Sequence, residues 1–307
     1  MTKPLMDFGY NPPCGERGYE VITPRNYLYD LHRALDVASQ SFSSIWSSDH
    51  LNYGSEFRVE CWTMLTWMAA RYPGPMLGTV VMCNSFRSPS LLAKMSASLQ
   101  EMSMGRLILG YGAGWYEKEY RSYGFDYPSA GVRVDMFEEG VQVIKKMWVD
   151  SPASFKGKYY CIDNVYCEPR PYPQPILMLG GGGEKKTLKV VAQYADWWND
   201  VMRPISDLSR KLTILQQHCE AVGRDYNSIR KTLAPRFFID KDHKKAIRMA
   251  EGKNTSGQVI AGDPKAVCDQ LYEIAEMGFD MVITTFPKFQ ELDDMKLFVD
   301  EVIPQFC

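Results

Sequence analysis

The sequence predicts a (β/α)₈ barrel, in which eight parallel strands alternate with helices around a closed sheet. Short apolar runs alternate with longer helical patterns from one end of the chain to the other. The runs are apolar nearly throughout, as parallel strands are when both of their faces are covered. With 307 residues and 45% apolar content, the chain has the length of one such barrel. We therefore expect a single domain over residues 1–307, and we prefer the barrel to a doubly wound sheet.

Eight segments have the length and composition of strands. Each is a short run rich in apolar residues, bounded by polar or turn-forming residues. The segments are residues 6–9, 44–47, 76–82, 106–110, 175–180, 195–199, 233–239 and 280–286. Their number equals the number of strands that such a barrel requires.

Helical patterns fill the gaps between these strands. The clearest pattern is residues 88–105, where Ser88 is a candidate N-cap, Pro89 suits the first helical position and Gly105 ends the pattern. Its apolar positions follow helical spacing. The other predicted helices are residues 25–41, 133–148, 184–194, 205–222, 264–277 and 292–302.

One segment departs from the alternation. Residues 151–173 are rich in Pro, Tyr and Gly, and residues 155–160 predict a hairpin, so we interpret the segment as an insertion before strand five. Long loops also follow strands one and four, at residues 12–18 and 115–131. Because loops after barrel strands lie at the catalytic face, we expect these loops to cover substrate.

The overall charge argues against nucleic acid as a partner. The formal net charge is -2 and the pI is near 6.1, which leaves no basic face of the kind that neutralises many phosphates. The sequence contains no secretion-signal pattern at its N-terminus and no run approaching ~18 uninterrupted apolar residues. We therefore expect a soluble, cytoplasmic protein that does not bind a membrane.

Eight cysteines are scattered along the chain without a C-x-x-C pair, and the chain has four histidines. This pattern predicts neither a metal site nor a disulfide framework. We expect most of the cysteines to be small core residues in a reducing compartment. Residues 254–256 match a glycosylation acceptor, but we interpret them as a polar loop.

A carboxylate and an imidazole follow strand two. Asp49 and His50 stand where that strand should end, and such side chains suit acid–base chemistry. As neighbours, they should point to different sides. The alternative is an Asx-type turn in which His50 is hydrogen-bonded to a neighbouring loop. Residues 78–87 add backbone and side-chain donors near the same end of the barrel.

Glycines follow strand four. Gly110, Gly112 and Gly114 would let the backbone approach a ligand closely, and acidic and aromatic residues come directly after them. Trp115 stands where a dinucleotide fingerprint needs its final glycine, so a Rossmann site is disfavoured. We expect a loop that faces a cofactor.

Four glycines end strand five and lead into a helix. Gly180, Gly181, Gly182 and Gly183 would expose successive backbone N–H groups, and two lysines follow at positions 185 and 186. This arrangement suits the anionic tail of a cofactor, although its spacing is not that of a Walker A loop. The alternative is a flexible turn before a solvated, basic helix start.

Taken together, these segments resemble the bacterial-luciferase-like superfamily of flavin and deazaflavin enzymes, in particular the branch that uses the 8-hydroxy-5-deazaflavin coenzyme F-420. The resemblance covers nearly the whole chain. It is carried by residues 48–50, 89–115, 120–124, 180–183 and 262–264. It implies a barrel that holds the coenzyme at the C-terminal ends of its strands and transfers a hydride between the coenzyme and a small organic substrate.

The resemblance also implies catalytic residues. Asp49 and His50 match the family segment beside the ring, with His50 as proton donor or polariser because an imidazole can act near neutral pH. Glu117 stands where some relatives carry an acid that faces the substrate. A carboxylate so close to Lys118 and Glu119 equally suits a solvated loop.

Asp49 is also implied to bind the coenzyme, together with a further set of residues. These residues are Thr79, Val80, Val81, Gly112, Gly180, Gly181, Gly182 and Gly183. The first three mark a bulge in strand three, which in such enzymes often contains a non-prolyl cis peptide behind the ring. The last four would cradle the phosphate of the coenzyme. Trp115 and Tyr111 either wall the ring or are packing residues.

Two alternatives to the deazaflavin enzyme remain. One is a monooxygenase that uses FMN, because reduced FMN activates oxygen whereas a deazaflavin only carries hydride. The other is a noncatalytic flavin-binding barrel, which would show no turnover with any donor. By analogy with barrels of this family, we also expect a homodimer formed through outer helices.

Overall fold

Parallel strands alternating with helices form the body of the protein. The computed structural model describes residues 5–14, 24–55, 57–253, 259–287 and 289–306. Its strands are β1 (Asp7–Tyr10), β2 (Ser44–Ser47), β3 (Met76–Thr79), β4 (Met82–Cys83), β5 (Leu107–Gly112), β6 (Ala153–Lys156), β7 (Cys161–Val165), β8 (Ile176–Gly180), β9 (Trp197–Val201), β10 (Arg230–Ala234), β11 (Arg236–Ile239), β12 (Val259–Gly262) and β13 (Met281–Thr284). Its helices are α1 (Pro24–Ser41), α2 (Cys61–Arg71), α3 (Pro89–Met102), α4 (Glu117–Ser122), α5 (Ala130–Val149), α6 (Thr187–Tyr194), α7 (Ile205–Ala221), α8 (His243–Ala250), α9 (Pro264–Glu276) and α10 (Asp293–Glu301).

The central sheet closes into a barrel. Its order is β3, β2, β1, β13, β10, β9, β8, β5, and β3 pairs with β5 to complete the ring. Every pairing within this ring is parallel. Val80 and Val81 separate β3 from β4, and β4 also pairs with β5. In the described residues, β3 and β4 therefore together occupy one of the eight strand positions of the barrel. The prediction of a (β/α)₈ barrel is confirmed.

The seventh strand differs from its predicted position. The barrel strand is β10, which starts three residues before the predicted segment 233–239, and β11 pairs with β12 in a separate two-stranded parallel sheet. Pro235 lies between β10 and β11. Because proline has no N–H to donate to a ladder, it ends one strand and lets the next follow a different sheet.

Other element predictions fall close to the observed bounds, with some omissions. In the described part of the chain, helices α2, α4 and α8 had no predicted counterpart. The predicted loop at residues 12–18 is described only as far as residue 14, and residues 254–256 lie outside the described residues. Among the described helices, none has the length and apolar character needed to cross a bilayer.

The segment at residues 151–173 contains an antiparallel hairpin made of β6 and β7. Phe155 lies opposite Ile162, and Lys156 lies opposite Cys161. The hairpin stands between α5 and β8 in the chain and packs beside α5.

The inside of the barrel is filled by large apolar side chains. The buried residues of this inner cluster are Trp46, Ile108, Met178, Met281 and Ile283. Val80 and Val81 pack on the same cluster but are only partly buried, so they expose apolar surface above it. A second, larger cluster lies between the strands and the surrounding helices.

Candidate active site

Asp49 anchors the loop that follows β2. Its carboxylate accepts hydrogen bonds from Arg87 Nη1 at 2.9 Å, from Arg87 Nη2 at 3.1 Å and from the backbone N–H of Cys83 at 2.8 Å. Arg87 also pairs with Glu60, the N-cap of α2. Burial raises the pKa of the Asp49 carboxyl, while Arg87 and the Cys83 N–H oppose that shift. With both oxygens engaged, Asp49 ties the loop to β4 and to the start of α2.

His50 points the other way, toward α4. Its Nδ1 lies 3.0 Å from Glu119 Oε2, and the Glu119 side chain is only 2% exposed. Glu119 also accepts backbone N–H bonds from Leu51 and from Asn52, the latter at 3.3 Å. A hydrogen bond from Nδ1 to this carboxylate would leave Nε2 as the ring atom that can exchange a proton. The contact to α4 fixes the orientation of the imidazole.

Glu117 does not join this pair. It lies two residues earlier on α4, its side chain is 48% exposed, and it pairs with Arg121 one turn along the helix. Glu117 therefore lies on the exposed face of α4, and its assignment as an acid that faces the substrate stays a prediction. The carboxylate that reaches His50 is Glu119, which is not among the site residues predicted from the sequence.

Glu119 has a recognisable signal in the sequence once α4 is known to be a helix. Glu117 and Arg121 are four residues apart, a spacing that marks a solvent-exposed helix face. A residue two positions after Glu117 is rotated about 200° around the helix and so lies on the opposite, inward face. The omission of α4 from the predicted helices thus concealed the buried acid.

The residues at the interruption between β3 and β4 lie close to the glycines of β5 and β8. The Val80–Val81 peptide is cis, within the segment where the resemblance implies such a bond. A Cβ added to Gly112 or to Gly180 would lie 2.8 Å from a methyl carbon of Val81. Thr79 fixes the other side of the interruption, since its Oγ1 donates to Gly110 O at 2.8 Å. Val81 therefore packs directly against the backbone of Gly112 and Gly180, where a larger residue would overlap its side chain.

This surface fits a flat, largely apolar ring. Val80 and Val81 are the partly exposed top of the inner cluster, and the neighbouring backbone at Gly112 and Gly180 carries no side chain. Apolar area at a barrel mouth is available for burial under a ligand. The ring system of a flavin or deazaflavin matches these walls.

The loop at residues 180–183 is held from beneath by α7. Gly181 has a φ of 122°, which favours glycine. Lys211, whose side chain is 8% exposed, donates to Gly182 O and lies 3.8 Å from Glu184 Oε1, so the buried cation beside the loop is partly balanced by a carboxylate. Lys186 pairs with Asp135 of α5, and its side chain is 53% exposed. Backbone and Lys211 together fit an anionic group.

Aromatic side chains surround His50. Its ring centroid lies 4.9 Å from Tyr53, 6.0 Å from Trp115 and 6.4 Å from Tyr116, all in T-shaped arrangements. Tyr53 and Tyr116 stack at 4.7 Å, and Trp115 is 62% exposed. Tyr111, by contrast, is fully buried and donates to Asn84, so it packs outside the barrel and does not wall a ring.

The closed barrel and the acid–imidazole pair at the C-terminal ends of its strands define a TIM-barrel enzyme. A family model described as luciferase-like monooxygenase matches residues 6–257. The chain belongs to the luciferase-like monooxygenase family, and the superfamily resemblance inferred from its sequence is confirmed.

Individual relatives are similar over nearly the full chain. An F-420-dependent glucose-6-phosphate dehydrogenase of Amycolatopsis mediterranei is 25% identical over 98% of both chains. A solved F-420-dependent secondary alcohol dehydrogenase, in complex with an F-420–acetone adduct, superposes with a TM-score of 0.80 at 20% identity, covering 98% of each chain. A monooxygenase from Streptomyces bottropensis superposes with a TM-score of 0.82 at 18% identity, covering 98% of this chain and 100% of its own. At these identities the two solved structures establish the fold.

Proposed function

We propose that the protein is an oxidoreductase that transfers a hydride between the deazaflavin coenzyme F-420 and a small organic substrate. The observation that carries this proposal is the buried His50–Glu119 pair, which lies at the same end of the barrel as the exposed Val80–Val81 surface. The similarity of the chain to proteins named as F-420-dependent dehydrogenases supports the choice of coenzyme.

The coenzyme would be held by the residues whose geometry fits it. Val80 and Val81 would support one face of the ring, with Thr79 fixing the strand beneath them and Gly112 and Gly180 leaving room at the sides. The loop at residues 180–183, with Lys211 beside it, would bind the phosphate. When bound there, the coenzyme supplies a two-electron hydride acceptor or donor.

His50 moves the proton that accompanies the hydride. In alcohol oxidation, Nε2 would accept the proton of the substrate hydroxyl. The carbon that bears this hydroxyl would lose its hydride to the coenzyme and become a carbonyl carbon. In the reverse direction, the imidazolium donates that proton to the carbonyl oxygen. Glu119 keeps Nδ1 protonated and balances the charge of the imidazolium. We assign Asp49 to holding the loop, because its oxygens are occupied by Arg87 and Cys83.

The substrate would meet an apolar wall. Tyr53, Trp115 and Tyr116 lie around His50, and the large exposed fraction of Trp115 leaves π surface available to a ligand. We infer a small organic alcohol or carbonyl compound with an apolar group next to the reacting carbon.

Two further properties belong to this proposal. A homodimer is supported by large apolar side chains exposed on the outer helix α3, namely Leu91 and Met102. A reducing, cytoplasmic location is supported by the free thiols of the seven cysteines in the described residues.

The second candidate is an FMN-dependent monooxygenase, which the family description and the fold of the Streptomyces monooxygenase favour. Two parallel assays distinguish the two. In an anaerobic assay, oxidised F-420 is mixed with a panel of secondary alcohols and reduced F-420 with ketones, and the deazaflavin absorbance is followed. In an aerobic assay, the same compounds are mixed with reduced FMN, and oxygen consumption is followed. Turnover without oxygen supports the proposal. Turnover that requires both reduced FMN and oxygen supports the monooxygenase, and lack of turnover with every donor supports the noncatalytic barrel.

A further inference from the structure

The turn of the β6–β7 hairpin is fixed to α5 by one carboxylate. Glu139 of α5 accepts backbone N–H bonds from Lys158 at 2.7 Å, from Tyr159 at 2.7 Å and from Tyr160 at 3.0 Å. Three bonds to one carboxylate hold consecutive residues of the turn in a defined position. The side chain of Tyr160 is thereby aimed in a fixed direction.

The Tyr160 hydroxyl reaches Asn84, the residue that follows β4. Asn84 Nδ2 donates to it at 3.0 Å, while Asn84 Oδ1 accepts from Tyr111 of β5 at 2.5 Å. Asn84 is 1% exposed. At Gly140 of α5, an added Cβ would lie 2.6 Å from Asn84 Oδ1, so glycine is what allows the helix to approach this amide. The hairpin, β5 and α5 therefore meet at the Asn84 side chain.

Asn84 directly follows β4, the short strand that begins right after the Val80–Val81 surface. The preceding residue, Cys83, pairs with Gly112 of β5 and donates its N–H to Asp49. On the other side of β4 stand Val80 and Val81. Displacement of Asn84 would move β4, and with it the support for the ring and the Asp49 anchor.

We propose that Tyr160 is a positioning residue for coenzyme binding, which acts through Asn84 to hold β4 and the Val80–Val81 surface in place. The inference rests on the proposed function, and it assigns a role to the insertion at residues 151–173. Removal of the Tyr160 hydroxyl would leave a buried amide donor without its acceptor, and such a group moves to find another partner. The effect would pass to β4, which is two residues long and starts directly after the interruption.

The test compares two matched variants of the insertion. Tyr160→Phe removes the buried hydroxyl, and Tyr166→Phe removes the same atom from a side chain that is 66% exposed. Hydrogen exchange of peptides covering residues 78–87 is measured without coenzyme, and the Kd for oxidised F-420 is measured by fluorescence titration. We expect Tyr160→Phe to raise the exchange rate there and to weaken F-420 binding by about fivefold, whereas Tyr166→Phe stays within about twofold of wild type.

A double-mutant cycle tests the route through Asn84. In an Asn84→Ala background, Tyr160→Phe should cause no further loss of F-420 affinity, because the contact is already absent. Additive losses would overturn the inference, and so would a Tyr160→Phe variant that binds F-420 like wild type while melting at a lower temperature. If Tyr160→Phe does not fold, Glu139→Gln loosens the same turn from α5 and must weaken binding in the same direction. Failure of the wild-type protein to bind F-420 would overturn the proposed function and this inference with it; normal wild-type binding and an unaffected Tyr160→Phe variant would overturn this inference alone.

Discussion

His50 and Glu119 form a buried pair across two loops of the barrel mouth, with Nδ1 and Oε2 separated by 3.0 Å. The two residues are 69 positions apart in the chain. Their contact fixes the orientation of the imidazole, and under the proposed function it leaves Nε2 as the proton-transfer atom.

Glu119→Gln should lower kcat on the order of 10- to 100-fold, because an amide holds the imidazole in the wrong tautomer for part of the time. Glu117→Gln is the matched control, since Glu117 lies on the same helix but pairs with exposed Arg121. Steady-state kinetics of both variants with one substrate provides the measurement. Equal losses from the two variants would remove Glu119 from the mechanism.

His50→Ala should lower kcat by about 10²–10⁴-fold, the usual contribution of a general acid or base. Coenzyme affinity should change little, because His50 faces α4 and the aromatic side chains. Turnover and the F-420 Kd are measured on the same preparation. A variant with full turnover would contradict the assignment of His50.

Gly180→Ala should weaken F-420 binding by at least about tenfold, because the new methyl group overlaps Val81 and shifts the surface under the ring. Gly74→Ala is a suitable control: the nearest atom to its added Cβ, Ser39 O, lies 3.9 Å away. Titration of each variant with F-420 gives the comparison. Wild-type affinity in Gly180→Ala would show that Val81 does not support the ring.

Cys83 should resist alkylation near neutral pH. Burial raises the pKa of its thiol to about 11, so at pH 8 only about 0.1% is thiolate. Iodoacetamide at pH 8 should label the exposed Cys161 and spare Cys83, as peptide mass spectrometry can show. Labelling of Cys83 at the rate of Cys161 would contradict its burial.

The same pKa shift has a consequence for stability. Between the ordinary thiol pKa and about 11, the unfolded chain loses the Cys83 proton while the folded protein keeps it. The free energy of unfolding should therefore fall as the pH rises through this window. Urea unfolding of wild type and Cys83→Ser at pH 8 and pH 10 measures this, and the variant should show the smaller fall.

The barrel could be predicted from sequence because most of its strands contain short apolar runs, as parallel strands do when both of their faces are covered. The segment at residues 233–239 was assigned to one strand because apolar character continues across Pro235, although the chain changes sheets there. Composition reports burial, and it does not report which sheet a buried strand joins.

Local spacing in the sequence selected Asp49, His50 and the glycine loop as candidate site residues. Glu119 required recognition of α4, a six-residue helix too short to show a periodic apolar face. The contact between Tyr160 and Asn84 joins residues 76 positions apart, and no local pattern in either segment indicates it. Such contacts depend on how the insertion packs against α5.

Titration of the purified wild-type protein with oxidised F-420 and with FMN, followed by tryptophan fluorescence and by coenzyme absorbance, tests the central claim most directly. The proposed function predicts saturable binding of F-420 that is at least about tenfold tighter than binding of FMN. Tighter binding of FMN would contradict the deazaflavin assignment and favour the oxygen-dependent enzyme.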